Sequence, residues 1–200
     1  MDAAEERRAR IAALTLPAEA ASWARAGFAV EGERTTIGTV PVSFGAGWEV
    51  ELDFRAIDED PPQPPPATQH PIGAVAIDHV VLFTPSLERT IESYEGQGLR
   101  CRRVREVGEG DQMLRQAFFR LDEVILEVVQ VPAEQVPGGE PRFWGLTIAV
   151  TDLDGAVADL GADCGTIRDA VQPGRRIATL KRSAGLGVPV ALITPEPARP

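Results

Sequence analysis

The sequence predicts an α+β fold built from two like modules, each running strand, helix, three strands. Three observations carry this. Ile77-Asp78-His79-Val80-Val81-Leu82-Phe83 is an apolar run of strand length, and a Pro85-Ser86 turn leads from it into helical spacing at Leu87, Ile91 and Tyr94. Strand candidates then follow at 101–107, 115–121 and 124–131. The same order returns later: an apolar strand at 146–151, a helix opened by Asp152-Leu153-Asp154 with Val157 and Leu160, and strands at 175–181 and 188–194. Leu87 matches Leu153, 66 residues on. A repeat of that size indicates like units sharing one core.

The N-terminal third reads as follows. Residues 1–9 are charged and expected to fray or form one helical turn; 10–16 suit a short strand. Pro17 fits the first turn of a helix over 18–26 anchored by Trp23 and ended by Gly27. Strands are expected at 28–30 and 35–44, with Glu31-Gly32-Glu33 as the tight turn between them. Trp48, Val50, Leu52 and Phe54 alternate with Glu49, Glu51 and Asp53, the period of a half-buried strand. Residues 10–57 therefore read either as a shortened third module or as an unrelated cap. Residues 58–74, with prolines at 61, 62, 64, 65, 66 and 71, read as an extended linker. The domain beyond it, 75–195, holds the full modules at 75–131 and 143–195, divided by the turn-rich stretch Pro137-Gly138-Gly139 with Pro141.

Composition narrows the function. The 200 residues are 44% hydrophobic and 25% charged, as in a globular protein of one large or two small domains. No apolar run has membrane-spanning length and no signal core opens the chain, so a cytoplasmic protein without a membrane partner is expected. The net charge of −10 opposes binding of long nucleic acids. Local clusters at Arg100, Arg102, Arg103 and Arg105, and at Arg175 and Arg176, suit a small anion or simply a solvated strand edge. Cys101 and Cys164 form neither a zinc motif nor a disulfide framework.

The run Ile77 to Leu82 with Pro85-Ser86-Leu87, followed by Leu126-Glu127-Val128-Val129, resembles the vicinal oxygen chelate superfamily of glyoxalase-like and bleomycin-resistance-like proteins. Residues 115–120 and 169–175 are similar to an actinobacterial-type glyoxalase-like subgroup. The resemblance covers 75–195 and extends in shortened form to 10–57. It implies paired βαβββ modules forming a curved mixed sheet around a cavity. It also implies metal ligands from the first and last strand of each module, which in the first module are His79 and Glu127. Counting back from Leu153 by the eight residues that separate Leu87 from His79 reaches Gly145, and Ala191 stands where the second acid belongs. The resemblance thus implies no resident cofactor, or at most a divalent ion held loosely through His79 and Glu127. Without a metal, the two form either a general-base pair or a polar pair that only satisfies itself.

Further candidates come from the residues themselves. Period two puts Gln116, Phe118 and Arg120 on one strand face and Arg115, Ala117 and Phe119 on the other, without saying which faces a ligand. Trp144 suits a pocket mouth or a structural anchor. The loop 168–176 offers Arg168, Gln172, Arg175 and Arg176 around a Pro-Gly turn, and guanidinium forks match carboxylates and phosphates. No dinucleotide fingerprint, phosphate loop or Gly-x-Ser-x-Gly elbow is present. The expected function is a small-molecule enzyme of lyase or isomerase type acting on a carbonyl or vicinal-oxygen compound. Two alternatives stand beside it: a non-catalytic protein that sequesters a small molecule, and a structural or protein-interaction domain. A homodimer is left open.

Overall fold

The computed structural model describes residues 6–63, 65–108 and 113–196. Chain order is β1 (Arg7–Pro17), α1 (Ala20–Arg25), β2 (Arg34–Ile37), β3 (Val40–Gly45), β4 (Glu49–Ala56), β5 (Ala74–Thr84), α2 (Leu87–Gly96), β6 (Cys101–Val107), β7 (Leu114–Leu121), β8 (Val124–Gln130), β9 (Arg142–Val150), α3 (Leu153–Leu160), β10 (Arg168–Asp169), β11 (Arg176–Thr179) and β12 (Val190–Ile193). The fold is α+β, with mixed sheets of strand order β2-β3-β1-β4 and β10-β11-β12-β9-β5-β8-β7-β6. No described helix is long and apolar enough to cross a membrane.

The strand–helix–three-strand order holds twice, in β5-α2-β6-β7-β8 and in β9-α3-β10-β11-β12. In each, the first strand runs parallel to the last and the remaining pairs are antiparallel. Both helices start on a side-chain cap. Ser86 Oγ accepts from the Arg89 amide, and Asp152 Oδ1 accepts from the Gly155 amide at 2.9 Å. Leu87 and Leu153, the matched pair, each occupy the first helical position and are fully buried. Such a leucine contributes about 1.5–3 kcal/mol through burial.

The N-terminal third departs from expectation at three points. Residues 7–9 are not frayed but open β1: the Arg7 amide donates to the Gly98 carbonyl at 2.8 Å and its guanidinium to the Phe54 carbonyl at 2.9 Å. The frayed or helical turn expected for residues 1–5 lies outside the described residues. Residues 28–30 form no strand, because Phe28 folds its ring against Trp23, 4.8 Å away, and the Ala29 amide is used by His70. The expected strand at 35–44 breaks into a hairpin, with Ile37 opposite Val40 and Gly38 at φ 62°, the glycine position of a tight hairpin turn. The Glu31–Glu33 turn forms as expected, with Gly32 at φ 58° and a bridge between Glu31 and Arg34. The strand–helix–three-strand order recurs here too, but β1 lies between β4 and β3 and runs parallel to β3.

The described chain divides into two compact units. The first comprises the described residues of 1–11, 52–62 and 79–144. Its helix α2 covers one face of β6–β8, where Tyr94 meets Phe119 at 5.2 Å between ring centres. Arg55, almost fully buried, donates to Asp122 at 2.6 Å. The second unit comprises the described residues of 12–51, 63–78 and 145–200. Trp23 is its largest fully buried side chain, with Phe28 and Phe44 around it and its indole N–H donated to the Leu186 carbonyl at 3.2 Å.

The proline-rich segment ends on a pin in the second unit. His70 is buried, its Nδ1 accepts from the Ala29 amide at 3.1 Å, and its Nε2 donates to the Thr36 carbonyl at 2.9 Å. These two bonds require the neutral ring with the proton on Nε2. Burial holds the His70 pKa below the ordinary histidine value, with the Thr36 bond acting in the opposite sense. The unfolded chain therefore binds a proton that the folded chain excludes. The contribution is complete above the unfolded pKa of about 6.5 and declines as pH falls below it. The melting temperature should drop between pH 7.5 and pH 5, and His70→Gln should drop less; equal drops in the two proteins would remove His70 as the cause.

Candidate functional site

In the first unit, burial against α2 decides which strand face is left open. β7 buries Ala117, Phe119 and Leu121, and β8 buries Val124, Leu126 and Val128. Pleating turns Gln116, Phe118, Arg120, Ile125, Glu127 and Val129 the other way. Register then lays out the open face in rows. Arg103, Phe118, Glu127 and Val81 stand side by side across β6, β7, β8 and β5. Arg105, Gln116, Val129 and Phe83 form the neighbouring row, and Arg120, Ile125 and His79 the third. Gln116, Phe118 and Arg120 share the face of His79 and Glu127.

Glu127 is the centre of this face. Its Oε2 lies 3.7 Å from His79 Nε2, with both side chains about 85% buried. Its Oε1 accepts from the Gln116 amide at 2.5 Å. Burial raises the Glu127 pKa above the ordinary glutamate value, because the charged form loses hydration. The His79 and Arg105 charges and the Gln116 hydrogen bond pull it back only in part. The arrangement is a carboxyl group whose oxygens have different neighbours and whose proton affinity is above normal, which suits general acid–base work.

Trp144 belongs to the same unit. Its ring stacks on Phe83 at 5.0 Å and 20°, and the Arg142 guanidinium lies 5.8 Å from the same Phe83 ring. Phe83 shares the face of His79, so an aromatic pair adjoins the polar centre.

The second unit holds Arg168, Gln172, Arg175 and Arg176. Arg175 is buried, bonded to Asp78 Oδ1 at 2.5 Å and to the Thr194 carbonyl at 2.8 Å. Arg176 is exposed and grips both oxygens of Asp154 on α3, at 3.0 and 2.5 Å. Arg168 is exposed on β10, and Gln172 is half-buried in the turn, its carbonyl accepting from the Arg175 amide.

The donor set decides how a metal would fit. A divalent ion takes at least four ligands. His79 and Glu127 supply two, and the described residues contain no group of three His, Cys, Asp or Glu around one point. A Cβ placed on Gly145 would collide with the Pro189 carbonyl oxygen, so the position is closed to a side chain. Ala191 pairs with Thr147 and Thr179. His79 and Glu127 by themselves do not compose a protein shell for an ion.

Sequence reasoning named the arginine cluster at 100–105 without sorting it. Arg100 and Arg102 reach Glu6 at 3.8 and 2.8 Å. The register of β6 shifts between Cys101 and Arg103, and this places Arg103 and Arg105 on the Glu127 face. Unbroken period two from Cys101 would put both on the Phe119 side instead.

Comparison with known proteins finds a family model and a set of similar solved structures. The family model described as "Glyoxalase/Bleomycin resistance protein/Dioxygenase superfamily" matches residues 76–183. Similar solved structures include methylmalonyl-CoA epimerase from Mycobacterium tuberculosis, at 24% identity over 62% of this chain and 91% of that one, TM-score 0.49. Another is the Streptomyces coelicolor methylmalonyl-CoA epimerase in complex with 2-nitronate-propionyl-CoA, at 22% identity over 60% and 94%, TM-score 0.49. A hypothetical protein from Bacillus halodurans C-125 follows at 17% identity over 62% and 96%, TM-score 0.48. No curated protein matches. Because the Pro189 carbonyl fills the space beside Gly145, Gly145→Ala should lower unfolding stability by about 1–3 kcal/mol in denaturant titration; an unchanged midpoint would show that the contact yields freely.

Proposed function

Because the chain belongs to the glyoxalase/bleomycin resistance protein/dioxygenase superfamily, we propose that the His79–Glu127 face transfers a proton next to a carbonyl group of a small molecule, as an isomerase or lyase does. The observation that carries this reading is the buried Glu127 carboxyl, with raised proton affinity, Oε1 held by Gln116 and Oε2 turned toward His79. Gln116 orients the carboxylate. Its Oε2 takes the proton from the carbon beside the carbonyl. The C–H electron pair moves into the new C–C double bond, and the carbonyl pair moves onto oxygen as an enolate. Return of the proton to carbon restores the carbonyl, in the original or inverted configuration. His79, 3.7 Å from Glu127, is placed to donate an N–H bond to the enolate oxygen or to exchange a proton with the acid. The base must be ionised, so the rate should rise with pH through a value above that of an ordinary glutamate, the sense given by its burial.

The Phe83–Trp144 stack favours a second reading, capture of an unsaturated small molecule without turnover. Proton–deuterium exchange in heavy water, followed by NMR on a panel of small ketones and 2-oxo acids, separates the two. Wild-type protein should catalyse exchange beside the carbonyl, and Glu127→Gln should slow it by about 10²–10⁴-fold. Exchange of equal rate in Glu127→Gln would sink the proton-transfer reading, and a ligand-dependent melting shift with no exchange would establish capture alone.

A further inference from the structure

We propose that this face is built for an anionic substrate, a short carbonyl compound whose carboxylate or phosphate is held by Arg103 and Arg105 while its reacting carbon lies over Glu127. This rests on the proton-transfer reading of Glu127 for the position of the reacting carbon, but the anion site itself stands on other residues.

The register places the two arginines. Arg103 is beside Phe118, which is beside Glu127, and Arg105 is beside Gln116, the residue that holds Glu127. Adjacent strands lie about 4.8 Å apart, so β6 and β8 are about 10 Å apart at the backbone. An arginine side chain reaches across most of that gap, and the Arg105 charge is felt at Glu127. Phe118, half-buried between arginine and acid, gives the carbon skeleton an apolar floor.

Four other arginines of this unit are held by carboxylates. Arg100 and Arg102 pair with Glu6, Arg115 with Glu88 and Glu106, and Arg55 with Asp122. Arg103, Arg105 and Arg120 form no ion pair with a carboxylate among the described residues closer than 4.0 Å. In a chain of net charge −10, a local excess of guanidinium on one face selects for small anions, since a large polyanion meets the repulsion of the whole surface. Guanidinium forks bind carboxylate or phosphate oxygens in pairs. They also offset the second negative charge that appears when an anionic substrate becomes an enolate, so their loss should reduce turnover as well as binding.

The test measures binding by titration calorimetry, with 2-oxobutyrate as the carboxylate probe, dihydroxyacetone phosphate as the phosphate probe and 2-butanone as the neutral one. Wild-type protein should bind one or both anions and bind 2-butanone at least about tenfold more weakly, the scale of one charge-assisted bond. The double variant Arg103→Gln/Arg105→Gln should weaken the preferred anion at least about tenfold. Arg102→Gln, on the Glu6 pair, should leave it unchanged. Preference for 2-oxobutyrate identifies a carboxylate site, and preference for dihydroxyacetone phosphate a phosphate site. Equal binding of the neutral ketone by wild type, no anion binding at all, or an unweakened double variant would each overturn the proposal, and the wild-type comparison decides even if the double variant does not fold. The two readings fail separately: anion binding by a wild-type protein that catalyses no exchange would uphold the arginine site and reject the proton-transfer role.

Discussion

One-sided burial of a pleated strand is the constraint on which this protein's candidate site depends. On β7 and β8 alternate side chains must go under α2, and every one that does is apolar: Ala117, Phe119, Leu121, Val124, Leu126, Val128. A slip of one residue would expose that whole set and bury Glu127 and Gln116 in its place. The hydrophobic free energy of the helix side therefore aims the polar side. Glu127 needs no specific device to face away from α2; its neighbours leave it no other direction.

The same strand logic gives β5 two distinct jobs in adjacent residues. Asp78 is tied to the buried Arg175 guanidinium at 2.5 Å, and His79 approaches Glu127 at 3.7 Å. The first contact is short and backed by the Thr194 carbonyl on the same arginine, which marks a structural pair. The second is longer than a hydrogen bond, and its acid is left with raised proton affinity. Tight pairing satisfies charge and holds it still, whereas looser pairing in a dry setting leaves a group able to change protonation.

Much of this was legible in the sequence because it is local or periodic. Element order and the Leu87–Leu153 correspondence follow from spacing. His79 and Glu127 stood out only through resemblance, and period two left their companions' face undecided until register settled it. What could not be read involves partners distant in the chain. Arg175 looked like a loop arginine offered to a ligand, yet Asp78, 97 residues away, holds it buried. His70 looked like a linker residue, and the Ala29 and Thr36 backbone atoms that hold it lie 41 and 34 residues back. The 28–30 segment has strand-forming residues but spends its backbone and ring on tertiary contacts, so propensity was overridden there.

The register shift in β6 turns chain length into charge. Two steps along β6, from Cys101 to Arg103, match one step along β7, from Phe119 to Phe118, so Arg102 is the supernumerary residue. Paired instead in unbroken register from Cys101, the strand would set Arg102 and Val104 beside Phe118 and Gln116, and one of the two guanidinium groups would give way to an isopropyl group. The charge of this face thus depends on where the strand breaks register as well as on which residues it carries. Among relatives, a strand that ran through this place in even register would present a different charge, a change that an identity score passes over.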